Sequence, residues 1–69
     1  MGFYEIKTTV RRERETKLYR VAVYRDRADV WLVTSNNTTQ QVINGSQVWR
    51  QVLRKLADEN PAAREEMEG

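Results

Sequence analysis

Residues 16–43, TKLYRVAVYRDRADVWLVTSNNTTQQVI, decide the fold of this chain. Tyr19, Val21 and Val23 fall on one side of the alternation, and Leu18, Arg20, Ala22 and Tyr24 fall on the other. Beyond Asp26-Arg27, Val30 and Leu32 continue the first set, while Asp29, Trp31 and Val33 continue the second. A period of two in β-branched and aromatic residues marks half-buried strands. Asp26-Arg27 and Asn36-Asn37 read as two-residue hairpin turns, since a short polar pair reverses a strand and Asn tolerates positive φ. The stretch predicts strands over about 16–25, 28–35 and 38–43, the last being the weakest and the one that could instead be a loop.

Toward the N-terminus, Tyr4, Ile6, Thr8 and Val10 alternate with Phe3, Glu5, Lys7, Thr9 and Arg11. This gives a further strand over about 3–11, with Glu13-Arg14 as its turn. Toward the C-terminus the period changes. Trp49, Val52, Leu53 and Leu56 recur at i, i+3, i+4 and i+7, an apolar helical stripe, so 47–59 reads as a helix with Ser46 as its N-cap. Asn60-Pro61 stops that helix. The acidic tail 60–69 then forms either a short second helix opened by Asn60 and Pro61 or a disordered end.

Counting outward from the three turns sets Ile6 opposite Val21, Leu32 and Gln41, and Tyr4 opposite Val23, Val30 and Ile43. All positions of these two rows except Gln41 are apolar and share one face, which the helix stripe covers. The expected architecture is α+β: a four-stranded antiparallel meander packed on one helix, forming a single domain over 1–59.

The chain has 69 residues, no cysteine and no histidine. Disulfides, thiolate zinc sites and histidine-based acid–base or nucleophile pairs are therefore excluded. No paired-carboxylate spacing, phosphate loop or metal motif stands out, so no enzymatic role, cofactor or metal is expected. Twelve basic and ten acidic residues give a net charge of +2. Residues 1–57 carry +6 of that charge and residues 58–69 carry −4. A basic body suits a polyanionic partner, although surface charge also serves solubility. No run of about 18 apolar residues would span a membrane. No basic start followed by an apolar run suggests a leader, so a cytoplasmic location is expected.

The face turned away from the helix is unusual. A solvent face of an antiparallel sheet is normally polar, but this one is expected to hold Phe3, Leu18, Tyr24, Trp31 and Val33 among cations. Aromatics interleaved with cations form a stacking platform for single-stranded nucleic acid. The same rings could pack on a second copy of the chain. On this reading Lys7, Arg11, Arg20, Arg25 and Arg27 contact phosphates, and Tyr24 and Trp31 stack on bases. Trp49 belongs to the core.

The order of elements, together with Ile43-Asn44-Gly45-Ser46-Gln47-Val48-Trp49-Arg50-Gln51-Val52-Leu53, resembles the strand-to-helix junction of the ββββα single-stranded-DNA-binding transcriptional coactivators and Whirly-like proteins. Here the aromatic is displaced by about one residue, and Gly45 stands where a proline-like helix start is usual. The resemblance implies a homodimer that grips single strands with strand residues. Carried onto this chain, those residues are Lys7, Arg11, Arg20, Tyr24 and Trp31. The competing expectation is a protein-binding inhibitor or adaptor, of phage or mobile-element type, that uses the apolar face or a sheet edge.

Overall fold

The computed structural model describes residues 1–68. The order is β1 (Gly2–Thr8), β2 (Lys17–Val23), β3 (Ala28–Val33), β4 (Thr39–Val42), α1 (Gln47–Glu59) and α2 (Pro61–Glu68). The strands form one antiparallel sheet in sequence order, β1-β2-β3-β4. The α+β meander expected from the alternation is present. Ile6, Tyr19, Val21, Val23 and Val30 line its inner face, and Val52, Leu56 and Ala63 of the helices close the core over them.

The register differs from the one counted from the turns. β1 and β2 pair Tyr4 with Val21 and Ile6 with Tyr19. β2 and β3 pair Val21 with Val30 and Tyr19 with Leu32. Both ladders are two residues away from expectation, so every side chain keeps its face. The β2–β3 turn residues are Arg25-Asp26 rather than Asp26-Arg27, because the Tyr24 N–H donates to the Arg27 carbonyl at 2.8 Å. The β1–β2 connection is not a two-residue turn at Glu13-Arg14: it is longer, and its tight turn is at Arg11-Arg12, where the Glu13 N–H donates to the Val10 carbonyl at 3.2 Å. β1 ends at Thr8, and Val10 leaves the sheet to become a core residue only 2% exposed. Its neighbours are tied to α1: Lys55 Nζ donates to the Thr9 carbonyl, and the Arg11 N–H donates to Gln51 Oε1.

β4 is displaced by one residue, which turns it over. Val42 pairs with Val30 and Gln41 with Trp31. The cause is a three-residue loop, Ser35-Asn36-Asn37, in place of the two-residue turn. The Thr34 N–H donates to the Thr38 carbonyl at 2.8 Å, the Asn37 N–H donates to the Thr34 carbonyl at 3.0 Å, and Asn37 sits at φ 61°. A left-handed third residue is usual for such loops. An odd loop length exchanges the faces of the strand that follows it. Val42 therefore packs toward the core, while Ile43, expected inside, lies beyond β4 and is 78% exposed.

Ser46 caps α1, its Oγ accepting from the Trp49 N–H at 3.3 Å. Gly45 precedes it at φ 86°, a conformation glycine adopts without strain. Trp49 is fixed by its indole N–H, which donates to the Ala28 carbonyl at 2.9 Å. Of the two alternatives for the tail, residues 61–68 form the helix, capped by Asn60 Oδ1 on the Ala63 N–H at 3.2 Å. α2 buries Ala63 completely and packs Met67 on the same core, so that core extends past the expected boundary at residue 59. Glu66 of α2 accepts from the Tyr4 hydroxyl, and the Met1 ammonium lies 3.6 Å from its other oxygen. A Cβ at position 2 would sit 2.6 Å from Glu66 Oε1, so Gly2 allows this close approach.

Two tyrosines make stability depend on alkaline pH. The hydrogen bond to Glu66, helped by burial and by the Glu66 charge, holds the Tyr4 hydroxyl above its ordinary pKa. Burial does the same for Tyr19, and Glu13 adds to it against the opposing charges of Lys17 and Arg11. A pKa raised by folding contributes stability below the unfolded value, near 10, and that contribution is lost as pH rises through the folded value. Urea midpoints should therefore fall as pH rises above about 10. Tyr4→Phe should flatten that fall, and an unchanged slope would remove Tyr4 from the explanation.

Candidate nucleic-acid interface

Alternation along β1–β3 and the inverted parity of β4 set the outer face in three rows. The first row joins Lys7, Leu18, Val33 and Thr39, and the second joins Glu5, Arg20, Trp31 and Gln41. The third row joins Phe3, Ala22 and Asp29. The two-residue register change is consequential here. It brings Trp31 and Glu5 directly beside Arg20, where the expected register places Val33 and Lys7.

Arg20 Nε lies 2.9 Å from Glu5 Oε2, and both side chains are exposed. Phe3, 69% exposed, and the half-buried Trp31 flank this pair. Together with the edges of Tyr4 and Val21 they line a groove of about 480 Å³. Ala22 is fully buried beside Phe3, so the face is low at that point and the rings stand above it.

Tyr24 and Arg27 continue the outer-face parity past the end of the ladder, joined by the Tyr24 N–H···Arg27 carbonyl bond. The Arg27 guanidinium stacks over the Tyr24 ring, 4.5 Å from its centroid, a favourable cation–π arrangement. Its Nε lies 3.5 Å from Asp29 Oδ2, and Asp29 also accepts from Asn44 Nδ2 at 3.0 Å. Arg25 stands at the tip of the turn, exposed and without an ion pair among the described residues.

Family models, curated proteins and solved structures give no match to this chain. The site is therefore read from its own geometry. Lys7, Arg20 and Trp31 share the outer face, whereas Tyr24, Arg25 and Arg27 lie at the hairpin end, where they also line a hollow with Trp49 and Leu53 of α1 and Met67 of α2. Arg11 does not belong with them. It sits at φ 58° in the β1–β2 connection, against α1 on the inner side. The reason is Val10, whose burial pulls the chain off the sheet before Arg11 is reached.

Three contributors to this face were not among the expected contacts. Phe3 carries a visible signal, since it alternates with Tyr4 at the sheet margin. Glu5 becomes a partner of Arg20 only in the true register. Gln41 reaches the outer face only because the loop before β4 has three residues.

The charges on the face nearly balance. Lys7, Arg20 and Arg27 stand against Glu5 and Asp29, with Arg25 beyond them. The two ion pairs do not block a ligand, because exposed pairs are worth about 0–1 kcal/mol. A phosphate can take either guanidinium at small cost. Among the described residues no helix is long and apolar enough to cross a membrane.

Proposed function

We propose that this chain is a non-enzymatic module that binds single-stranded nucleic acid along the outer face of its sheet. The observation that supports this reading is the alternation of rings and cations on one face left open by both helices. Trp31 stands beside Arg20, Phe3 stands across the groove, and Tyr24 lies under Arg27. Bases stack on Trp31 and Phe3. Lys7, Arg20, Arg25 and Arg27 meet phosphates. The rings would read bases through their π faces, with little sequence preference. The resemblance to the coactivators points the same way, and a second copy joined through Leu18 and Val33 would lengthen the platform.

Fluorescence anisotropy of labelled single- and double-stranded oligonucleotides at 50 and 200 mM salt tests this. Four phosphate contacts give a log–log salt slope near −2.8, about a fiftyfold loss across that range. Binding of neither polymer at about 100 μM protein, the weak end of non-specific binding, would overturn the reading. The near-balance of charge and the apolar pair Leu18 and Val33 favour a protein partner as the second reading, whose binding would change little with salt.

Glu5→Gln gives an independent check. It releases Arg20 and removes one repelling carboxylate from the groove. Affinity for a single strand at 50 mM salt should rise by up to about fivefold, the upper worth of an exposed pair. The gain should shrink at 200 mM salt. A loss of affinity would mean that the ion pair is itself needed to hold Arg20 for binding.

A further inference from the structure

Arg11, left out of the outer face, belongs to a second surface on the opposite side of the molecule. Residues 1–57 carry a charge of +6, and most of it lies there. The outer face and its hairpin hold only +1, with Lys7, Arg20, Arg25 and Arg27 against Glu5, Asp26 and Asp29. The other +5 is spread over the β1–β2 connection, the start of β2 and α1.

Contacts join these segments into one surface. The Arg11 N–H donates to Gln51 Oε1, and Lys55 Nζ donates to the Thr9 carbonyl, so the connection lies along the Gln51 and Lys55 side of α1. Residues three and four apart are neighbours on a helix. Arg54 therefore stands next to Gln51, and Arg50 lies one turn before Arg54. Both are exposed, on the side of α1 away from the buried Val52 and Leu56. Arg11, Arg12 and Arg14 are exposed as well. None of these five guanidinium groups makes an ion pair among the described residues, while the nearby Glu13 is taken by Lys17 at 3.0 Å.

A surface charged only for solubility intersperses both signs. Here the fold carries its charges at a cost. Arg50 and Arg54 have the i,i+4 spacing at which like charges repel. α1 has no acidic residue in its first turn and no basic residue in its last, where Asp58 and Glu59 stand instead. That is the reverse of the order the helix dipole favours. Arg11 holds φ 58°, a left-handed conformation that Gly or Asn adopts with less strain. A polyanion lying on this surface turns the first two of these costs into attraction.

We propose that the β1–β2 connection and the exposed side of α1 bind duplex nucleic acid through its phosphate backbone. Arginine forks match phosphate oxygens. A duplex carries one phosphate per about 1.7 Å of its axis, so cations spread over a loop and a helix each find one. The surface offers no ring to a base, because Tyr19 is buried and Trp49 packs on the core. A duplex keeps its bases inside and presents phosphates, which is what such a surface can hold. No large apolar side chain is exposed along residues 9–17 or α1, so the surface lacks the apolar face that seats a helix in a membrane. The assignment uses no residue of the outer face and is independent of the single-strand reading.

Fluorescence anisotropy of a labelled blunt DNA duplex at 50 and 200 mM salt tests it. About three to five phosphate contacts give a log–log slope between about −2.7 and −4.5, a loss of about 40- to 500-fold across that range. The double variant Arg12→Gln/Arg54→Gln removes one cation from each segment. It should reduce the slope by about 1.8 and lower affinity at 50 mM salt by at least about tenfold. Both side chains are exposed and unpaired, so its melting temperature should not fall. Trp31→Ala, on the opposite side, should leave duplex affinity within about twofold, since it removes no phosphate contact. An unchanged duplex affinity in the double variant would overturn the proposal. So would a loss in Trp31→Ala as large as that in the double variant, or no duplex binding at about 100 μM protein and 50 mM salt. Tighter binding to phosphatidylserine vesicles than to the duplex at the same salt would overturn it too, by marking the surface as one for membranes.

Discussion

Replacing Trp31 with alanine is expected to lower single-strand affinity by between about 5- and 150-fold, the loss of one base–aromatic stack of about 1–3 kcal/mol. Trp31 occupies the centre of the outer face, between Arg20 on β2 and Gln41 on β4. Its backbone is fixed by ladders on both sides, so a base stacked on it meets a surface that is already ordered. Removal of the ring also takes one wall from the groove shared with Phe3 and Arg20. Stability should suffer less than affinity, because the ring stands on the uncovered face and is not part of the inner core. The salt slope should stay near its starting value, since no phosphate contact is lost. Anisotropy at 50 and 200 mM salt, with thermal denaturation as the control for folding, reads all three. If affinity is unchanged while the protein shifts from dimer to monomer, Trp31 serves self-association and not stacking.

Much of this architecture was legible because each strand carries its own alternation. Tyr19, Val21 and Val23 announce an inner face whatever they pair with, and a two-residue error in register leaves that face intact. The position of the partners was not legible. A turn of Arg25-Asp26 differs from one of Asp26-Arg27 by a single residue, and both pairs have the polar chemistry of a turn. The first is accompanied by contacts within the hairpin that the composition does not announce: Arg27 stacked on Tyr24 and reaching Asp29. The parity of β4 was hidden for a related reason. Asn36-Asn37 is a good two-residue turn by composition, and only the left-handed φ of Asn37 turns it into the end of a three-residue loop.

The same logic divides the site. Lys7, Arg20 and Trp31 were identifiable as one face from alternation alone. Arg11 was misplaced because Val10 continues the period-two pattern while leaving the sheet, and burial in a strand and burial in a loop look alike in sequence. Ala63 gave little warning of its role. A lone alanine in an acidic segment does not signal a core position, yet its small size lets α2 approach closely enough for Glu66 to reach Tyr4.

Leu56→Ala should have the largest effect on stability of any single truncation argued here. Leu56 is 2% exposed, on the inner stripe of α1. It packs in one cluster with Val10, Val21, Val23 and Val52. Truncation of a fully buried leucine costs about 2–5 kcal/mol, the spread reflecting how far the site collapses. At about 0.05–0.15 kcal/mol per residue, a chain of this length has only about 3–10 kcal/mol in total. The variant should therefore lose from about a fifth of its stability to all of it. Its Tm should drop by at least about 8 °C, since 1 kcal/mol moves a domain of this size by about 4–8 °C. Ile43→Ala supplies the contrast. Ile43 is 78% exposed, and a surface truncation of this kind should stay within about 0.5 kcal/mol. Val42→Ala, on the inner side of the inverted strand, should fall between the two. Denaturant midpoints for the three variants decide the parity of β4 directly. If Ile43→Ala proves costly and Val42→Ala silent, β4 faces the other way.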